Sequence, residues 1–359
     1  MLKGKIDLKM VFSYAGAFIA FLIGSGFATG QEVLQYFSSY GFKGLLGVLT
    51  VSLLFFYVGS SFMSVGQEHK FENGNEIYKY YCGNKIGTFF DYYSIVFIYM
   101  SFIVMIAGAG SAINQQYGLP IPIGGIALGV IAGATVIFGL SNIVDVISKI
   151  GPVIILLTIT LGIFAIARNP EGLRNANTIL SQVEVLKAST NWFFAALSYV
   201  GFCMIWLAGF LASMGSTSKS KRESVLGILF GTLGFGLALA IIVLGILANI
   251  KELAGSQVPS LALAQMIHPI LAIIFSAIVI AGIYTTSVPL LWQVIARFAE
   301  EKTKKFKTLT ISLTVIGTTI GVLIPFDKLV NKVYVINGYI GIILIGFMIF
   351  KSIRNKSLF

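Results

Sequence analysis

The sequence predicts an all-α polytopic membrane protein of ten transmembrane helices, and three observations carry that prediction. Charged residues make up 11% of the chain and apolar residues 57%, with a mean hydropathy of +0.90, whereas a soluble domain is about one quarter charged. Ten mostly apolar stretches reach the roughly 17–25 residues needed to cross a bilayer. They lie near 10–38, 42–65, 87–113, 120–139, 143–167, 191–214, 225–249, 269–296, 308–326 and 333–350. The basic residues fall on alternate connections. With the N-terminus placed in the cytoplasm, most of the 25 Lys and Arg lie inside, in clusters such as Lys3–Lys9, Lys219–Arg222 and Arg297–Lys307, as the positive-inside rule requires. A miscounted span would throw successive clusters to opposite sides, so both termini are expected in the cytoplasm.

The net charge of +11 does not point to nucleic acid, because the basic residues form short clusters between spans and not one continuous face. The lipid bilayer is the partner the composition demands; nothing in the sequence sets the oligomeric state. Cys82 and Cys203 are too few for a disulfide framework and read as packing residues. The first apolar run, Met10–Gly26, lacks a small-residue cleavage site and reads as a retained helix, not a signal peptide.

The long connection 168–190 is the natural seam of the chain. It divides a first five-helix group (1–167) from a second (191–350), and residues 351–359 form a cytoplasmic tail. Asn75–Gly83, with Tyr78, Tyr80 and Tyr81, reads as an interfacial helix at headgroup depth. Gly125, Gly129 and Gly133, and again Gly227 and Gly231, recur every four residues. That spacing lets helix backbones approach closely in lipid.

The chemistry concentrates in span 1, at Ile23-Gly24-Ser25-Gly26-Phe27-Ala28-Thr29-Gly30-Gln31-Glu32. Glycine weakens a helix, and a charge at this depth costs at least ~2.5 kcal/mol on insertion scales. A helix broken here accounts for both, since opened backbone is tolerated in a membrane where it lines a cavity. Close helix packing is the alternative for the glycines. Glu32 has two readings: a proton-carrying or ligand-binding carboxylate, or a capping box with Thr29 as N-cap. A second break is expected at Leu197-Ser198-Tyr199-Val200-Gly201-Phe202-Cys203, opening the second group. Paired breaks indicate an inverted repeat with its site at the midplane.

Ile23-Gly24-Ser25-Gly26 resembles the helix-1 signature of the amino acid–polyamine–organocation superfamily, whose members have the LeuT-type five-plus-five inverted-repeat fold. The longer run Gly24–Glu32, with Ala107-Gly108-Ala109-Gly110 and Gln115-Gln116-Tyr117-Gly118-Leu119-Pro120, is similar to the YkvI-like bacterial membrane proteins. The resemblance implies a multi-pass protein of the bacterial cytoplasmic membrane. It also implies cation-coupled symport of an amino acid, or a related small zwitterion or amine, by alternating access. A ligand sensor that keeps the transporter fold without transport is the alternative. By the same resemblance a substrate carboxylate would meet amides of Gly24, Ser25 and Gly26, and its ammonium would meet Ser198, Tyr199 and Gly201, with Phe202 beside them. A half-helix N-terminus favours an anion, which supplies the physical reason.

For coupling, Thr285 and Thr286 resemble the hydroxyl pair of a sodium site on helix 8, and Lys149 resembles a helix-5 lysine that replaces sodium in proton-coupled relatives. The alternatives are local: the hydroxyls bond their own helix, and Lys149 pairs with Asp145 one turn away or snorkels to the interface. The coupling ion is therefore a proton or sodium. No enzyme is indicated. His69 and His268 lie outside the spans, the intramembrane carboxylates are dispersed, and no cofactor-binding or metal-ligand motif is present.

Overall fold

Helix starts follow the sequence closely, because short polar side chains close the first turn. Asn191 accepts from the amides of Phe193 and Phe194 at 3.0 Å each. Ser220 does the same for Glu223, and Thr303 for Phe306. The imidazole of His268 accepts from Ile270. Each satisfies an amide that the helix itself leaves unpaired.

The computed structural model describes residues 6–22, 25–138 and 143–356, with side chains for all of these except Ser25 and 143–152. Gly24 and the side chains of Ser25, Asp145 and Lys149 therefore lie outside the described residues. Every regular element among those residues is helical. Span 1 runs Leu8–Leu22, then Ser25–Thr29 and, beyond Gly30, Gln31–Tyr36. Spans 2 to 5 are Lys43–His69, the membrane part of Glu76–Tyr117, Ile121–Phe138 and Ile143–Arg168. Spans 6 to 10 are Trp192–Thr217, Lys221–Ala248, Pro269–Ala296, Lys304–Leu323 and Phe326–Asn355. Large apolar side chains such as Leu53, Val130, Leu237 and Val315 stand exposed on the outer faces, as a lipid-facing surface requires. The chain is a multi-pass membrane protein.

The expected interfacial helix precedes span 3 and turns into it at Gly83, whose φ of 73° is readily adopted only by glycine. The glycines at four-residue spacing pack helices, as their spacing indicated. Gly125, Gly129 and Gly133 face Val322, Thr318 and Thr314 of span 9, while Gly227 and Gly231 face Tyr14 and Phe18 of span 1. Side chains also tie the connections of one end together. Lys70 donates to the carbonyls of Ser216 and Ser218 at 2.8 and 3.0 Å, the Asp7 amide donates to Glu223, and Tyr57 bonds Ser352. The two ends of the described chain thus share the basic end of the bundle.

The expected break in span 6 is absent: Trp192–Thr217 is one unbroken helix. Its Gly201 serves close approach instead. A Cβ there would overlap the carbonyl of Gly338, and one on Gly341 would overlap the carbonyl of Gly201, so the backbones of spans 6 and 10 nearly touch. Gly201→Val is expected to destabilise the bundle by about 1–3 kcal/mol, since backbone cannot yield to the added methyls. A lowered Tm in detergent without a selective loss of ligand affinity would register this. The irregular turn of the second half lies in span 10, where Val330–Tyr334 winds as a π-helix, a feature frequent at functional sites.

Candidate functional site

Span 1 is interrupted where its glycines predicted. Gly30 sits at φ 78°, accepts from the Leu34 amide at 2.9 Å and donates to the Phe27 carbonyl at 3.0 Å, ending one helical piece and starting another. The short helix before span 8, Pro259–Ile267, leaves no room for a side chain at this point, because Ser260 and Pro259 press on Gly30.

Glu32 does not close a capping box. Gly30, not Thr29, precedes the last helical piece, and no side chain caps it. The Thr29 hydroxyl donates to the Gly26 carbonyl at 2.8 Å. The Glu32 side chain folds back so that its Oε1 occupies the space a Cβ on Gly26 would take. Glu32 is 4% exposed, and the Tyr199 hydroxyl sits beside its carboxylate.

Gly26, Phe27 and Glu32 form part of the wall of a central cavity of about 770 Å³. Buried Cys203 and Tyr334 join them, with Trp206 half-buried, and the cavity then runs between spans 3, 6 and 8 to exposed Ser213, Gln293 and Arg297 at the basic end. At that mouth Arg297 pairs with Asp91 at 2.7 Å, and Asn75 donates to the other Asp91 oxygen at 2.8 Å.

The opposite end is shut by two layers. The inner one is aromatic. Tyr36 packs on Tyr199 and Phe202, with ring centroids 5.4 and 5.6 Å apart, and Phe202 stacks on Tyr334 at 4.7 Å. The outer layer is a mesh of side-chain amides. Gln35 donates to the Asp327 carbonyl at 2.9 Å and accepts from Asn331 at 3.0 Å. Gln257 accepts from the Asp327 amide, and Gln115 clamps both polar groups of the Val258 backbone. The side-chain contacts of this layer are made by neutral amides.

The expected site residues divide between these regions. Gly26, Thr285 and Thr286 reach the cavity. The two threonine hydroxyls donate to the carbonyl of Gly282 in their own helix, at 3.1 and 2.8 Å, which is the local alternative. The backbone of Ser25 opens the middle piece of span 1. Ser198, Tyr199, Gly201 and Phe202 do not face the cavity. Ser198 and Gly201 face span 10, while Tyr199 and Phe202 belong to the aromatic seal. The expectation fails there because an unbroken span 6 exposes no carbonyls. Its cavity face instead begins with Cys203 and continues at Trp206, Phe210 and Ser213. That spacing is one helical face and was the signal in the sequence for Trp206. Tyr334 had none, since its placement depends on the π-turn.

The interrupted first span, the ten-helix bundle and the central cavity are the arrangement of the LeuT-type fold. The structure is similar to that of MhsT, solved in complex with L-phenylalanine. The TM-score is 0.62 at 17% identity, covering 93% of this chain and 87% of that one. It is also similar to the closed conformation of Mhp1, a nucleobase-cation-symport-1 family transporter with bromovinylhydantoin bound. Here the TM-score is 0.53 at 15% identity, covering 90% and 74% of the two chains. In sequence the chain is similar to the uncharacterized membrane protein YkvI of Bacillus subtilis (strain 168), 22% identical over 98% of this chain and 97% of that protein. It is 23% identical to the uncharacterized protein YyaD of the same organism, over 74% of this chain and 75% of that one. No family model matches the sequence.

Proposed function

We propose that this protein is a secondary active transporter of a small amino-acid-like zwitterion or amine, working by alternating access and coupled to protons at Glu32. One observation carries the reading. A cavity open toward the basic end stops at a buried carboxylate beside an interrupted helix, with an aromatic seal on the other side. The bound compounds of MhsT and Mhp1, an amino acid and a hydantoin, agree with a small polar solute. In this reading the backbone of Gly24, Ser25 and Gly26 lines the solute path. Residues 1–167 and 191–350 are the halves of an inverted repeat, and the basic end faces the bacterial cytoplasm. Sodium held at Thr285 and Thr286 is the competing coupling scheme, since their oxygens keep lone pairs.

Reconstituted protein is expected to accumulate labelled solute when a pH difference is imposed without sodium. A dependence on sodium alone would move the coupling to Thr285 and Thr286. Ligand binding without any accumulation would make the protein a sensor.

The one-sided opening gives a separate expected result. Cys203 lies on the cavity wall, and Cys82 is the other cysteine of the chain. In a Cys82→Ser background, a charged methanethiosulfonate reagent supplied from the basic end is expected to label Cys203. The same reagent supplied only from the opposite end should label it several-fold more slowly. Equal labelling from both sides would contradict the seal.

A further inference from the structure

Span 10 is irregular where it meets both layers of the seal, and two residues of its π-turn, Val330–Tyr334, make those contacts. Asn331 donates to Gln35 at 3.0 Å and to the Lys187 carbonyl at 2.9 Å, in the outer layer. Tyr334 stacks on Phe202 in the inner layer and stands on the cavity wall. Its hydroxyl is buried and makes no hydrogen bond among the described residues. Ring packing and the course of the backbone therefore place it. Whatever fixes the turn fixes both layers.

Asn337 is the side chain in position to do so. It is 0% exposed, and a buried amide is costly unless it is hydrogen-bonded. Its Nδ2 donates to the Val333 carbonyl, inside the π-turn, at 2.6 Å, and its Oδ1 accepts from the Tyr93 hydroxyl of span 3 at 2.7 Å. A side chain bonded to the carbonyl four residues back competes with the helix's own ladder, and such insertions accompany irregular turns. Phe97, one turn beyond Tyr93 on span 3, packs edge-on against Tyr334 at 6.2 Å. One face of span 3 thus supports both the clasp and the ring that the turn places.

The two flanks of the turn are anchored unequally. From Val335 onward span 10 is seated on span 6. Ser198 bonds the Val335 carbonyl, and the backbones of Gly201, Gly338 and Gly341 nearly touch. That flank has no room to rotate. The other flank, Phe326–Leu329, is held at Asp327 by the side-chain amides of Gln35 and Gln257, and by the contact of Phe326 with Gly108. A π-turn accommodates one residue more than the same length of α-helix. Closing it to α-helix turns one flank against the other by about 100°, the angle of one residue. With the inner flank fixed, residues 326–334 are the piece that turns. Asn331 and Tyr334 then leave their layers in one movement.

We propose that Asn337, oriented by Tyr93, is a positioning residue for the π-turn, and that the turn is a two-position hinge joining the cavity wall to the outer seal. Its part in transport rests on the alternating-access reading. With the clasp made, the turn stays in the π form, Tyr334 closes the inner layer and Asn331 the outer one. Loss of the clasp favours the α form, in which both withdraw.

The test needs neither solute nor gradient. In a Cys82→Ser background, a charged methanethiosulfonate reagent is supplied from either end of the full-length protein in proteoliposomes, and the rate of Cys203 labelling is measured. Asn337→Leu keeps the bulk of the side chain and removes both bonds. It is expected to raise labelling from the end opposite the basic one several-fold, without raising labelling from the basic end. Tyr93→Phe leaves the bond to Val333 and should give a smaller rise in the same direction. The double variant should label no faster than Asn337→Leu alone, because both residues act along one path. Ser352→Ala removes the Tyr57 bond from the far end of the same helix, and should leave the native rates in place. The proposal is overturned if Asn337→Leu labels at native rates with its fold intact by thermal melting, or if Ser352→Ala raises the rate as much. Should Asn337→Leu not fold, native rates in Tyr93→Phe overturn it in the same way. Additive effects of the two substitutions would also overturn it. Absence of solute accumulation by the native chain would sink the transport reading alone, because the labelling rates are read without solute.

Discussion

Glu32→Gln is expected to reduce uptake driven by a pH difference to background while the protein still inserts, folds and elutes as the native chain does. The side chain keeps its length and one acceptor oxygen, so the packing over Gly26 and beside Tyr199 is preserved. What disappears is the group that can gain and lose a proton. A carboxylate in a membrane span costs at least ~2.5 kcal/mol on insertion scales, and here no capping role offsets that cost, because Gly30 caps the helix without any side chain. Removing the charge is therefore expected to leave thermal stability unchanged or raised. The measurement is accumulation of solute in proteoliposomes with only a pH gradient, paired with a melting curve. A variant that still concentrates solute would remove Glu32 from the coupling scheme.

Gly26→Ala is expected to separate function from stability in the same way by a different route. The added methyl would overlap Glu32 Oε1. That atom is the far end of a flexible chain, so the carboxylate can swing aside at little cost to the fold. Alanine also favours helix over glycine by roughly 0.8–1 kcal/mol, which acts in the opposite direction. The net change in stability should be under about 1 kcal/mol, whereas displacing the carboxylate should weaken solute binding by roughly tenfold or more. Gly201→Val has the reverse signature, because its overlap is with backbone. Native binding in a well-folded Gly26→Ala protein would show that the carboxylate's position over Gly26 has no role.

Much of this architecture was legible in the chain because its causes are local. Bilayer thickness fixes the length of an apolar stretch, so all ten spans could be read, and the two ends of the described chain fell at one end of the bundle as the alternation of the basic clusters indicated. Gly30 was legible too, since a left-handed residue between two helical pieces needs glycine. The same reasoning failed at Gly201. A glycine that opens a helix and a glycine that admits a neighbouring helix look alike in one sequence, and only the contact with Gly338 and Gly341 tells them apart.

Composition and periodicity determined by themselves that this is a ten-span membrane protein with an interrupted first helix and a carboxylate just past the break. Tertiary structure alone decided which residues meet the cavity. Span 6 presents Cys203 and Trp206 to it and turns Tyr199 and Phe202 into the seal. The π-turn brings Tyr334 across from span 10. Glu32 settles over Gly26 in place of capping its own helix. The reason is physical: burial in lipid constrains each helix separately, through its length and polarity, and a one-dimensional pattern records that constraint. The rotation of each helix about its axis is set by which small residues of two distant segments let their backbones touch, and that agreement exists only between segments.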